Sequence, residues 1–183
     1  MTKPADFFRW EQGRQRVTVG KGICYGLCIK VGKQFPNSSQ GCQGLYNGVV
    51  KQLANKTQRT LQSSSSSQKG EDQSSRPYVN PPNLPQHQPI IIFCNISVGG
   101  GFCTRYSIAS YFYPFSYMAD HACLLWHGAD GTVVFDPNSG VSIWPNITNP
   151  GYQSVQTMLD YGYRKVGFDR PVYVTSFQKV FRG

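Results

Sequence analysis

Between Gln62 and Gln88 the chain is dominated by serine, glutamine and proline, with five consecutive serines at 63–67 and a proline-rich run from Pro77 to Pro89. Such a composition offers too little apolar surface to offset the entropy of ordering, so this stretch is expected to be a solvated excursion. It divides the chain into two unlike parts. Apolar residues recur at helical spacing before it, and continuous apolar runs bounded by turn residues follow it. The first part holds two helices at most, too little for a core of its own. The excursion therefore reads as an insertion at about 62–88 within one domain spanning 1–183. Helices first and an antiparallel sheet afterwards make the expected fold class α+β.

Residues 1–22 are polar and punctuated by glycine, with Phe7, Phe8 and Trp10 as anchors onto the domain. Ile23, Leu27, Val31 and Phe35 then recur at i, i+4, the spacing of one helix face, up to Pro36-Asn37-Ser38. Gly26 and Gly32 weaken a helix, so their presence points to close packing against a neighbour. Leu45, Val49 and Leu53 mark a second helix. Beyond the insertion, Ile90 to Cys94 suits a strand buried on both faces, and Tyr106 to Phe115 is β-rich until Pro114. His121–Trp126 and Thr132–Phe135 flank the turn residues Gly128-Ala129-Asp130-Gly131 and read as a hairpin. Gly140–Trp144 is a further strand. Asn149-Pro150 offers an N-cap and an N1 proline to a helix burying Tyr152, Val155 and Leu159, and Pro171–Phe177 closes as a last strand.

Lysine and arginine number 18 against 9 acidic residues, a formal charge of +9. That balance favours an acidic partner, whether nucleic acid, anionic membrane or protein, but the basic residues are scattered and form no binding motif. The N-terminus has no apolar signal segment, and the longest apolar run is too short to span a bilayer. Six cysteines stand at 24, 28, 42, 94, 103 and 123. Three lie in apolar runs, so reduced thiols are expected rather than bridges. Cys24 and Cys28 form a C-x3-C with no second pair nearby, so no metal site is expected. Four N-x-Ser/Thr triplets, at Asn37, Asn55, Asn95 and Asn146, carry little weight without a signal peptide.

The chemistry concentrates in three stretches. Cys24, in Gly22-Ile23-Cys24-Tyr25-Gly26-Leu27, opens the first helix, where unpaired N–H groups and the positive end of the helix dipole favour a thiolate. Asp120-His121-Ala122 begins one strand of the hairpin and Phe135-Asp136-Pro137-Asn138 ends the other. Antiparallel pairing around the turn sets residue 121 opposite roughly residue 138, with Asp136 close by. A cysteine nucleophile needs a base within hydrogen-bond reach and a third group to orient it, and Cys24, His121 and Asp136 supply them in that order. Taken singly, each has a plain structural reading: core thiol, satisfied histidine, turn aspartate. Their coincidence favours the triad. His127 beside the turn and His87 in the proline-rich run are the rival bases, and Asn138 and Trp126 are candidate groove residues.

These blocks, with Lys30 behind the first, resemble those of the YopT/AvrPphB-type cysteine proteases, a bacterial effector branch of the papain-like fold. The resemblance runs from about residue 15 to the end, without a counterpart for the insertion. It implies a helical part packed against an antiparallel sheet, a Cys-His-Asp endopeptidase working without a cofactor, and a target-cell protein as substrate. It also implies non-classical secretion, type III or type VI-like, with action in the cytosol of a host or competing bacterium. An immunity protein or chaperone is the partner expected of such a toxin. Papain-like enzymes place a Gln or Asn about six residues ahead of the cysteine as oxyanion donor. Here that place is Thr18, and Gln15 is the nearest amide. The same triad serves deamidation, transglutamination or other acyl transfer, and a basic nucleic-acid or membrane binding module is the non-enzymatic alternative.

Overall fold

The computed structural model describes residues 3–10, 23–34, 41–55, 75–98, 117–167 and 172–182. In chain order these form β1 (Asp6–Arg9), α1 (Ile23–Gln34), α2 (Cys42–Asn55), β2 (Tyr78–Val79), β3 (Ile90–Val98), β4 (Tyr117–Gly128), β5 (Gly131–Asp136), β6 (Gly140–Trp144), α3 (Tyr152–Lys165) and β7 (Val172–Lys179). The seven strands make one sheet in the order β1-β6-β5-β4-β3-β7-β2. Every adjacent pair is antiparallel. Mixed helix and antiparallel sheet is the α+β class.

Alternation along the central strands explains why both faces are covered. Ile91 on β3, Leu124 and Trp126 on β4, and Val133 and Phe135 on β5 pack with Leu27, Val31, Leu45, Val49 and Leu53 of α1 and α2. The intervening Ile90, Ile92, Cys123, Leu125 and Val134 pack with Val155, Met158, Leu159 and Tyr163 of α3. The helices that precede the low-complexity stretch thus lie against strands that follow it. Gly32 lets α1 lie close against its neighbours: an added Cβ would lie 3.0 Å from Val180 and 3.2 Å from Leu124 of β4. Asp130, in the β4–β5 turn, caps α2 by accepting from the Cys42 N–H at 2.7 Å, and the Cys42 thiol donates to the Asp130 carbonyl at 3.3 Å.

Several expectations are corrected. Of the expected excursion, residues 75–88 are described; most are exposed, as the composition implies, but the segment is tied down where β2 pairs with β7 and where Arg76 and Leu84 are buried. Backbone pairing and one well-placed leucine hold there what average composition hides. Phe7 and Phe8 anchor the N-terminal stretch as expected, but from a strand, with Phe8 opposite Val141 of β6. The last helix starts after Gly151 rather than at Pro150, because Ser154 Oγ accepts from the Gly151 N–H at 2.8 Å and donates back to its carbonyl at 2.9 Å. Tyr152 is 40% exposed, its ring edge-on to Phe177, and so lies outside the buried face formed by Val155 and Leu159. The expected strand at 106–115, the helix stop at Pro36 and the serine run at 63–67 lie outside the described residues. No helix among the described residues is long and apolar enough to cross a membrane.

Candidate active site

Cys24 is the second residue of α1, half-buried, in the first turn where backbone N–H groups have no partner within the helix. The helix lies there because its apolar face sits on β4 and β3, with the Cys28 thiol donating to the Ala122 carbonyl at 3.4 Å. That contact brings the start of α1 beside residue 121.

The hairpin supplies the other two groups. Leu124 pairs with Phe135 and Leu125 with Val134, so the same register carried outward sets His121 opposite Asn138, as the spacing predicts. At Asp136 the chain leaves β5 for a turn closed by the Ser139 N–H on the Asp136 carbonyl at 3.1 Å. Asp136 Oδ1 accepts from His121 Nε2 at 2.9 Å and from the Asn138 N–H at 2.7 Å. His121 also hydrogen-bonds the Cys24 side chain. With Nε2 taken by the carboxylate, Nδ1 is the nitrogen left to face the thiol.

Burial by itself pushes the His121 imidazole down. The charge of Cys24, then that of Asp136, and their hydrogen bonds outweigh it and hold the ring well above its ordinary range. Cys28 shows the opposite case. Burial first, then the neighbouring charges of Cys24, Asp136 and Cys94, pushes its thiol well up, so it stays a neutral core group. Five described cysteines are free thiols, and Cys24 alone among them is not fully buried.

The remaining expected residues divide. Asn138 is half-buried beside His121: its amide nitrogen lies 3.5 Å from His121 Nε2 and donates to the Tyr163 hydroxyl of α3 at 3.0 Å, while its backbone holds Asp136. Trp126 is 3% exposed within the core beneath α2. His127 is a buried structural residue, its ring nitrogens 3.1 Å from the Thr148 carbonyl and 3.2 Å from that of Leu84. His87 is exposed, edge-on to Trp126. Gln15, Thr18 and Cys103 lie outside the described residues.

Two features escape the sequence reading. Tyr163, edge-on to His121 with ring centroids 6.5 Å apart, continues the i, i+4 row of Val155 and Leu159 and was legible as a buried position. Cys123 follows His121 by two on the same strand, and alternation alone puts both on one face. There His121, Cys123 and Asp136 each offer a donor atom within 4.8 Å of the others, a grouping able to hold a metal ion although no sequence spacing announced it.

Compared with known proteins, the chain matches no family model, no curated protein and no solved structure.

Proposed function

We propose that the protein is a papain-like cysteine endopeptidase with Cys24 as nucleophile, His121 as acid and base, and Asp136 as the group that orients the imidazole. One observation carries this reading: the His121 ring is held between the Asp136 carboxylate and the Cys24 thiol at the start of a helix. The Cys24 thiolate attacks the substrate carbonyl carbon, forming a C–S bond and an oxyanion that the first N–H groups of α1 can face. The tetrahedral adduct collapses as His121 gives its proton to the leaving amine. Water, deprotonated by the same imidazole, then hydrolyses the thioester and restores the thiol. Asp136 keeps the ring in one tautomer and balances its charge. The role of bacterial effector or toxin, delivered to a target cytosol to cut one protein there, rests on the likeness of the three motif blocks.

Expression of the wild type and of Cys24→Ala in a bacterial cytosol and in a eukaryotic one tests it, with growth and new protein N-termini as readouts. A discrete cut that disappears with the thiol is expected. Thiol-dependent toxicity with a mass shift of about one dalton and no new N-terminus would replace the peptidase by a deamidase on the same triad. Identical behaviour of the two proteins in both cytosols would overturn the enzyme reading.

A further inference from the structure

We propose that the face of the sheet beneath α3 carries a site for one thiophilic divalent cation of the zinc class, and that filling it switches off the proposed peptidase. The donors come from three adjacent strands. Cys94 of β3 pairs in register with His121 of β4, so both side chains leave the same face, and Cys123 follows on that face two residues later. One step beyond the Leu124–Phe135 pair, Asp136 of β5 falls opposite Cys123. The donor atoms of His121, Cys123 and Asp136 all lie within 4.8 Å of one another, a spread that small side-chain adjustments close onto a tetrahedral ion. Cys94, diagonal to Cys123 on the same face and with its thiol donating to the His121 carbonyl at 3.7 Å, stands next to this grouping and is assigned as the fourth donor.

The carboxylate gives the second sign. Asp136 is 2% exposed, and while Oδ1 accepts two hydrogen bonds, Oδ2 has no partner among the described residues. A buried carboxylate oxygen without a donor is costly, and a cation answers it. Two sulfurs, an imidazole nitrogen and one carboxylate oxygen select zinc-class ions over calcium or magnesium, which take oxygen shells. Both thiols and the imidazole must shed their protons to coordinate, so the bound ion competes with the Nε2–Asp136 bond and with the hydrogen bond to Cys24. The site stands on its own geometry. Only its effect on activity rests on the peptidase reading.

The test uses the full chain carrying Cys24→Ala, which removes the half-buried thiol on the other side of His121. Titration with Cd2+, read by the ultraviolet charge-transfer band of cadmium–thiolate bonds, should saturate at one equivalent. In that background Cys123→Ser and Cys94→Ser should each shrink the band and weaken binding by about tenfold or more, with circular dichroism checking the fold. Cd2+ binding in the wild type that vanishes in Cys24→Ala would overturn the site, as would a band unmoved by either serine variant. Inhibition of the Cys24-bearing chain by Zn2+ should be relieved about tenfold by Cys123→Ser, and equal inhibition of both would overturn the switch. Because the Cd2+ readout needs no turnover, a filled site in a chain without peptidase activity would refute the function and leave the metal site standing.

Discussion

At the scale of single residues, β4 holds two buried histidines whose surroundings assign them opposite work. His121 Nε2 meets a carboxylate, whereas the ring nitrogens of His127 lie 3.1 Å from the Thr148 carbonyl and 3.2 Å from that of the buried Leu84. His127→Ala is therefore expected to cost about 1–3 kcal/mol, read as a shift in the urea midpoint, with activity per folded molecule unchanged. Asp136→Asn should do the reverse, leaving the midpoint nearly in place while kcat falls about 10²–10⁴-fold, the range for losing a well-oriented acid and base. A peptidase assay in which the two variants exchange these behaviours would refute the assignment. The sequence alone separated the histidines because hairpin register is arithmetic: the turn at Gly128–Gly131 decides which one returns to an aspartate. It could not reveal that Cys24 stands against His121, since that depends on how α1 lies across the sheet.

At the scale of elements, two small clamps position the site. Asp130 caps α2 from the hairpin turn, and Asp130→Ala should lower stability by about 1 kcal/mol in a thermal or urea melt. α3 grips the turn after β5 more closely: Gly162 leaves room for Ser139, and Tyr163 takes the Asn138 amide. Tyr163→Phe removes that acceptor, and the expected result is a roughly tenfold fall in kcat with KM nearly unchanged, because a loosened Asn138 loosens Asp136. A fall in stability alone would make Tyr163 a packing residue. The apolar run Ile90–Cys94 and the helical row Leu45, Val49, Leu53 were readable from period, although β3 runs on to Val98 through Asn95 and Ser97. The edge strand Asp6–Arg9, the two-residue β2 and the start of α3 were not, because backbone pairing and one serine hydroxyl define them rather than hydrophobic pattern.

At the scale of the whole molecule, the net charge of +9 has a kinetic meaning. An acidic protein inhibitor of this chain should associate ever more slowly as salt rises, with dissociation changed far less, and stopped-flow rates at several ionic strengths would show it. The architecture carries a different lesson. The thiol belongs to a helix that precedes the serine run, whereas the imidazole and carboxylate belong to a hairpin that follows it. A single cut among the serines at 63–67 would leave β1, α1 and α2 on one polypeptide and the remaining strands with α3 on the other. Neither fragment would own a complete set of reacting groups. The proposed activity would then become a bimolecular property, sustained when the pieces are concentrated and lost on dilution.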